Sequence, residues 1–503
     1  MTTVLVWRNL VEYARRPLNL ILLAVVPVVF VSLTSGVIAD FAKILGGKAS
    51  TGQLEVTTAG WAAAFLAGVA AFFHVNGSRA ADRRLASARG SSWQVVIARL
   101  GSSLLLAVVA TAGALLALAL RTDIADVPRA VGATGMFAII YLGIGASVGA
   151  LVRSEVNGSL VIVFIWMFDV FLGPAMGESD VFVTRLFPTH FPTLVMLDAS
   201  TTHAGSLGDV GASLVWTIGG LTLAFVTLLL TTGPMRSQTA HGRGSSAPVG
   251  SVWSRLRVGS RHVWREYRRN VALWVLLVGV PFFFITLSVI ITPDQPVPVE
   301  LVENGVHKIT TLSMVDLHGA IMVPITVAFL AGLTGLFVVL GSVEADRRLV
   351  IAGFKPFEVL ASRLVVIALA AVLVSGVTLG VTAMSFRPEV WLTFAAATVM
   401  VALTYAMIGV VVGSVVGRLG GLYLMFLLPF LDAGIGQNVM FHASPPSWGV
   451  WLPAHGAVRI LIDGAFTPGF DETSGLLLAL GWLAAITAAA AWVFHRLCAP
   501  HRI

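Results

Sequence analysis

The segment ADRRLASARG, residues 81–90, separates two long apolar stretches, and ADRRLVIAGF, residues 345–354, does the same later in the chain. After each copy the next apolar stretch opens on an Arg-Leu pair, Arg99-Leu100 and Arg363-Leu364, at the same separation of 264 residues. Working outward at that offset, LAG at 66–68 meets LAG at 330–332, and Gly77-Ser78 meets Gly341-Ser342. Tyr141, Gly145 and Gly149 likewise meet Tyr405, Gly409 and Gly413. Upstream the offset falls to 254, pairing Glu12-Tyr13 with Glu266-Tyr267 and Pro27 with Pro281, so the second copy has about ten extra residues in its first outer loop. Downstream, FPTH (187–190) matches LPAH (452–455) and Asp198 matches Asp463 at an offset of 265. The spacing predicts a duplicated unit.

What the unit is follows from composition. The chain has 503 residues, 57% of them hydrophobic and 11% charged, with a mean hydropathy of +0.90. A soluble globular chain carries roughly 25% charged residues. A membrane-crossing helix needs roughly 20 mainly apolar residues, and twelve stretches meet this: 18–38, 57–76, 97–120, 130–152, 158–176 and 210–232, then 271–292, 317–341, 361–385, 389–416, 418–437 and 474–494. The expected fold is an all-α polytopic membrane protein of about twelve transmembrane helices in two six-helix pseudo-symmetric repeats, each preceded by an amphipathic interfacial helix. The first apolar stretch is too long for a signal-peptide core and reads as a retained span. The single cysteine, Cys498, offers neither an internal disulfide nor a cysteine metal site.

The net charge of +7 is explained by topology. With both termini inside, twenty-four of the 32 basic residues fall in inner segments, as the positive-inside rule requires. No nucleic-acid partner is needed to account for them. Because six spans is an even number, both repeats face the same way, and parallel repeats place a pathway at the interface of the halves. The expected domains are a first repeat at 1–232, a flexible cytoplasmic linker at 233–252 rich in Gly, Ser and Pro, and a second repeat at 253–503 with its own elbow helix. In both VLVWRNLVEYARRP and VWSRLRVGSRHVWREYRRN, tryptophans interleave with arginines, the pattern of a helix lying in the membrane interface. Ala-, Gly- and Arg-rich usage points to a bacterial inner membrane.

The repeated phrase has a structural reading, in which Arg83 and Arg84 anchor the loop to anionic headgroups, and two family readings. Proton-coupled secondary transporters of the major-facilitator type carry Gly-x-x-x-Asp-Arg-x-Gly after the second span. Here Gly77 precedes Asp82 by one residue too many and Leu85 stands for the later glycine. The phrase more closely resembles the coupling-helix segment of ABC exporter permeases of the ABC-two class, the type V exporter fold. In that class Asp/Glu-Arg is followed by a few residues, a Leu or Gly, and then roughly ten residues to a basic-Leu pair that opens span 3. The elbow ending in ARRP at Pro17, the prolines Pro27 and Pro281 in the first spans, and the outer segments LFPTHFP and WLPAHGA are similar to that class as well. The proline that usually follows the phrase is present as Pro356, but Ser91-Ser92 stand in the first half.

The resemblance implies that Asp82, Arg83 and Arg84, with Asp346, Arg347 and Arg348, couple to two copies of a separate ABC ATPase subunit, which binds ATP and magnesium. This chain carries no cofactor or catalytic constellation of its own. It has no G-x-x-x-x-G-K-[ST] phosphate loop; ILGGKAS at 44–50 lacks the spacing. Sparse intramembrane charge favours a small lipophilic substrate, a drug, antibiotic or lipid. Asp169 and Asp432 lie in the outer half of the bilayer by helix rise. Intramembrane carboxylates are candidates for a substrate pathway; the competing reading is that each caps the outer segment that follows or pairs with His190 or His455. His74, whose counterpart is Val338, reads as a local packing residue.

Overall fold

The computed structural model describes residues 2–15, 17–44, 50–89, 92–124, 126–176, 182–198, 207–232, 271–303, 305–351, 356–440 and 443–498. The chain divides into two compact units, Met1–Thr239 and Ala240–Ile503. The linker expected at 233–252 and the second elbow helix lie outside the described residues.

The first unit begins with the short helix α1 (Thr2–Ala14), followed by α2 (Pro17–Ile44), α3 (Thr51–Asn76), α4 (Arg79–Arg89), α5 (Ser92–Ala119), α6 (Val127–Leu151), α7 (Glu155–Phe171), α8 (His190–Asp198) and α9 (Leu207–Thr232). Pro17 opens α2 at a position where its missing N–H costs nothing. A capping box starts α3: Gln53 N donates to Ser50 Oγ and Ser50 N to Gln53 Oε1. Apolar on every side, α3 is 94% buried over its most apolar stretch, which makes it the centre of the unit. Its closest neighbour is α6, where a Cβ added at Gly145 would lie 1.9 Å from Gly68 O. Small residues spaced i, i+4 let two membrane helices approach backbone to backbone, and Gly145 and Gly149 supply that spacing.

The second unit comprises α10 (Val271–Ile291), strands β1 (Pro296–Glu303) and β2 (Val306–Ser313), then α11 (Met314–Ile351), α12 (Pro356–Thr382), α13 (Trp391–Pro429), a π-helical turn at Phe430–Gly436, α14 (His455–Phe466) and α15 (Thr473–Cys498). Here α11 and α13 make the close approach, with a Cβ at Gly409 falling 2.0 Å from Gly332 O.

The all-α fold carries a short addition in the loop after α10, where β1 and β2 form an antiparallel hairpin from Pro296↔Ser313 to Glu303↔Val306. Val297, Val299 and Leu301 alternate inward, as a strand with one covered face demands. Gly305 takes the turn at φ 74°, where a side chain would be strained. Glu300 N donates to Ala443 O at 2.9 Å, tying the hairpin to the outer segments.

Nine described helices are long and apolar enough to cross a membrane: α2, α3, α5, α6 and α9 in the first unit, and α11, α12, α13 with its π turn, and α15 in the second. All twelve apolar stretches fall on helix, but they do not all stand as separate crossings. At 17 residues, α7 is about 25 Å long, short of a ~30 Å hydrocarbon core. The described apolar run of α10, Leu277–Ile291, is shorter still. The stretches 389–416 and 418–437 run together as Trp391–Gly436, 46 residues, about twice the length one crossing needs. Gly417, at φ 79° and ψ −169°, breaks the helix between them.

Candidate functional site

At the end of α3, Gly77 closes the helix by donating to Phe73 O, and α4 follows after a two-residue turn. Three charged side chains of α4 face the unit. Arg79 Nη1 donates to Val152 O, the residue that caps α6, at 3.1 Å. Arg83 Nε donates to Thr231 O in the last turn of α9 at 2.9 Å. Asp82 takes a two-pronged contact from Arg99 of α5, with Nε to Oδ2 at 3.0 Å and Nη2 to Oδ1 at 2.6 Å.

Positions 79, 82 and 83 share one helix face by the i, i+3, i+4 rule, and each has a physical reason to point inward. The last carbonyls of a helix lack intrahelical partners and carry the negative end of its dipole, so α6 and α9 each accept an arginine there. The side chains of Arg99 and Asp82 are only 6% and 8% exposed, and a buried ion pair is tolerated when it is fork-to-fork and fully hydrogen-bonded. Burial, with Arg83 and Arg153 nearby, pulls the Arg79 guanidinium below its ordinary value.

Of the predicted coupling residues in the first copy, Asp82 and Arg83 therefore serve as ties within the unit, and Arg84 is exposed. In the second copy the phrase prolongs α11 without a break as far as Ile351. Arg348 is exposed there, while the side chains of Asp346 and Arg347 lie outside the described residues.

The two intramembrane aspartates have matching surroundings. Asp169 Oδ2 accepts Tyr141 Oη at 2.8 Å, and its Oδ1 accepts the backbone N–H of Thr189 at 3.2 Å. Asp432 Oδ2 accepts Tyr405 Oη at 2.7 Å and the backbone N–H of Ala454 at 2.9 Å. Thr189 and Ala454 immediately precede α8 and α14. Each carboxylate thus takes up one of the N–H groups left over at the start of an outer helix, where the positive end of the dipole favours it. Gln437 extends the second site, donating to Asp432 Oδ1 at 3.4 Å and to Gly449 O at 2.7 Å, and accepting from His455 Nδ1 at 2.8 Å.

Both carboxylates are buried, at 1% and 4% exposure. Tyr405→Phe should cost about 1–3 kcal/mol, because it leaves a buried acceptor short of a partner. Chemical unfolding of the purified protein checks this, and Tyr141→Phe should behave alike. Among the described residues, no three His, Cys, Asp or Glu side chains are grouped to hold a metal ion.

Sequence reasoning had Tyr141 and Tyr405 in hand as a matched pair but gave them no role. The signal was available, since a phenol buried in an apolar helix calls for an acceptor. Thr189 and Ala454 contribute only backbone, which no residue type announces.

The described residues thus form a multi-pass helical membrane protein with a short charged helix tied to three of its long helices. Residues 54–232, from the start of α3 to the end of α9, match the family described as ABC-2 family transporter protein. The first unit thus carries an ABC-2 transporter domain. The chain matches no curated protein.

Proposed function

We propose that this chain is the transmembrane permease of an ATP-driven exporter: two ABC-two units of six spans each, fused in one polypeptide, expelling a lipophilic substrate with power from two copies of a separate ATPase subunit. The observation that carries the proposal is α4. It lies within the segment that matches the ABC-2 family, is fastened to α5, α6 and α9 by three charged residues of one face, and leaves Arg84 outward. A helix held at three points cannot move without moving the helices it holds, which is what a motor-driven lever requires.

Counting α7 and α10 as short spans, and the two sides of Gly417 as separate ones, supports the six-plus-six plan. A proton-driven pathway through Asp169 or Asp432 finds less support. Each carboxylate is occupied by a tyrosine hydroxyl and the N–H of an outer helix.

The test is association with a separately expressed ABC ATPase subunit. Arg84→Glu and Arg348→Glu should each weaken association by about a hundredfold or more, since like-charge juxtaposition at an interface costs several kcal/mol, while expression and insertion persist. Full retention of the ATPase by the double variant would defeat the assignment.

The arginine asymmetry supports a topology in which both termini and the 233–252 linker are cytoplasmic. A cysteine introduced at Ser245, with Cys498 replaced by serine, should resist a membrane-impermeant maleimide added outside. One at Val306, exposed beside the hairpin turn, should react. The reverse pattern would invert the orientation.

A further inference from the structure

The ion pair of α4 does not end at Arg99. Arg99 Nη1 lies 3.1 Å from His74 Nε2, in the last turn of α3. A guanidinium can only donate, so Nε2 is the acceptor and the imidazole proton sits on Nδ1. The same Nε2 lies 2.8 Å from Ser102 Oγ of α5, and Ser102 Oγ accepts from Asn9 Nδ2 of α1 at 3.4 Å. Asn9 is the buried residue of α1, an unusual place for an amide unless its hydrogen bond is wanted. Tyr13, one turn on, sets its ring edge-on to His74 at 6.3 Å. A continuous polar chain thus runs from α4 through α5 and α3 to the interfacial helix α1.

The second unit keeps the acid and the arginine, Asp346 and Arg363, at the same seventeen-residue spacing. Tyr267 matches Tyr13, but the three hydrogen-bonding links are valine: Val338 stands for His74 and Val366 for Ser102 at offset 264, and Val263 stands for Asn9 at offset 254. A valine side chain neither donates nor accepts, so these three positions cannot supply the same links in the second unit. Three substitutions of one kind at three positions joined through Ser102 in the first unit form a coherent difference.

We infer that Asn9, His74 and Ser102 are positioning residues that carry displacement of α4 into the elbow helix α1 in the first unit alone, so that the two motor-facing ends of the chain are mechanically unequal. The inference rests on reading α4 as the motor-facing helix, but its test needs no motor. A claim of coupling requires a perturbation at one end to be read at the other, and to be lost when the connection is removed.

A spin label at Trp7→Cys, an exposed site on α1, in a Cys498→Ser chain in lipid nanodiscs, reports the elbow. Asp82→Asn is expected to raise the mobile fraction of the label by about threefold, and to leave it unchanged when His74→Val and Ser102→Val are also present. In the second unit, a label at the matching Arg261→Cys should not respond to Asp346→Asn. An equal response of the Trp7 label with and without the two valines, no response in either, or an equal response in the second unit would each overturn the inference. Should Asp82→Asn not yield monodisperse protein, Arg99→Lys, which keeps the charge but loses the fork, gives the same comparison. Because no ATPase is present, loss of docking in the association experiment and loss of coupling here are separate results.

Discussion

Arg99→Met is expected to destabilise the first unit by about 3–5 kcal/mol, the cost of leaving a buried carboxylate without its partner. Asp82 is 6% exposed, and both of its oxygens are engaged by Arg99, so the loss is total rather than shared with solvent. The double variant Asp82→Asn/Arg99→Met should recover most of the loss, because the uncompensated charge goes with the arginine. Arg99→Lys should fall between, since an ammonium supplies charge but not the fork. Unfolding by denaturant in detergent, with intrinsic tryptophan fluorescence as the signal, gives the ranking. A small effect of Arg99→Met beside a large one for the double variant would contradict the burial argument. If the ties of α4 are what transmits force, the same variants should hydrolyse ATP with the motor subunit yet move little substrate.

Gly145→Ala should be as damaging as many larger changes. Its new Cβ would stand 1.9 Å from Gly68 O, a backbone atom that cannot swing aside, so α3 and α6 must separate along their whole contact. Overpacking of this kind costs about 3 kcal/mol or more when the neighbour is backbone. Gly409→Ala poses the same problem in the second unit, at 2.0 Å from Gly332 O. Gly132→Ala on α6 and Gly376→Ala on α12 are the controls. Nothing lies within 4 Å of either added methyl, and replacing a helical glycine with alanine there should be neutral or stabilising by up to about 1 kcal/mol. Yield of monodisperse protein and its unfolding midpoint separate the two classes. Equal behaviour of Gly145→Ala and Gly132→Ala would mean that the α3–α6 approach is looser than described.

The sequence by itself determined the membrane class and the placement of the helices, because hydropathy and the length of an apolar run are properties of a stretch of chain read alone. It also showed that the glycines at 145 and 149 and at 409 and 413 recur with Tyr141 and Tyr405, which was enough to expect matched packing. It could not say where a charge on a short helix would point. Asp82, Arg83 and Arg84 are three consecutive polar residues, and only the docking of α4 onto α5, α6 and α9 turns the first two inward and leaves the third outside. Nor could it separate a pathway carboxylate from a capping one. Asp169 and Asp432 meet the tyrosine of one helix and the N–H of another some twenty residues on, and those partners exist only once the outer helices have folded back.

The hairpin at 296–313 was visible as ten inserted residues and, in hindsight, as the alternation of Val297, Val299 and Leu301; its strands are fixed by pairing with each other and with Ala443. Local pattern decides what a segment can be, since it depends on neighbours along the chain. Which of its polar groups are shared, buried or free depends on neighbours in space, and tertiary structure decides that.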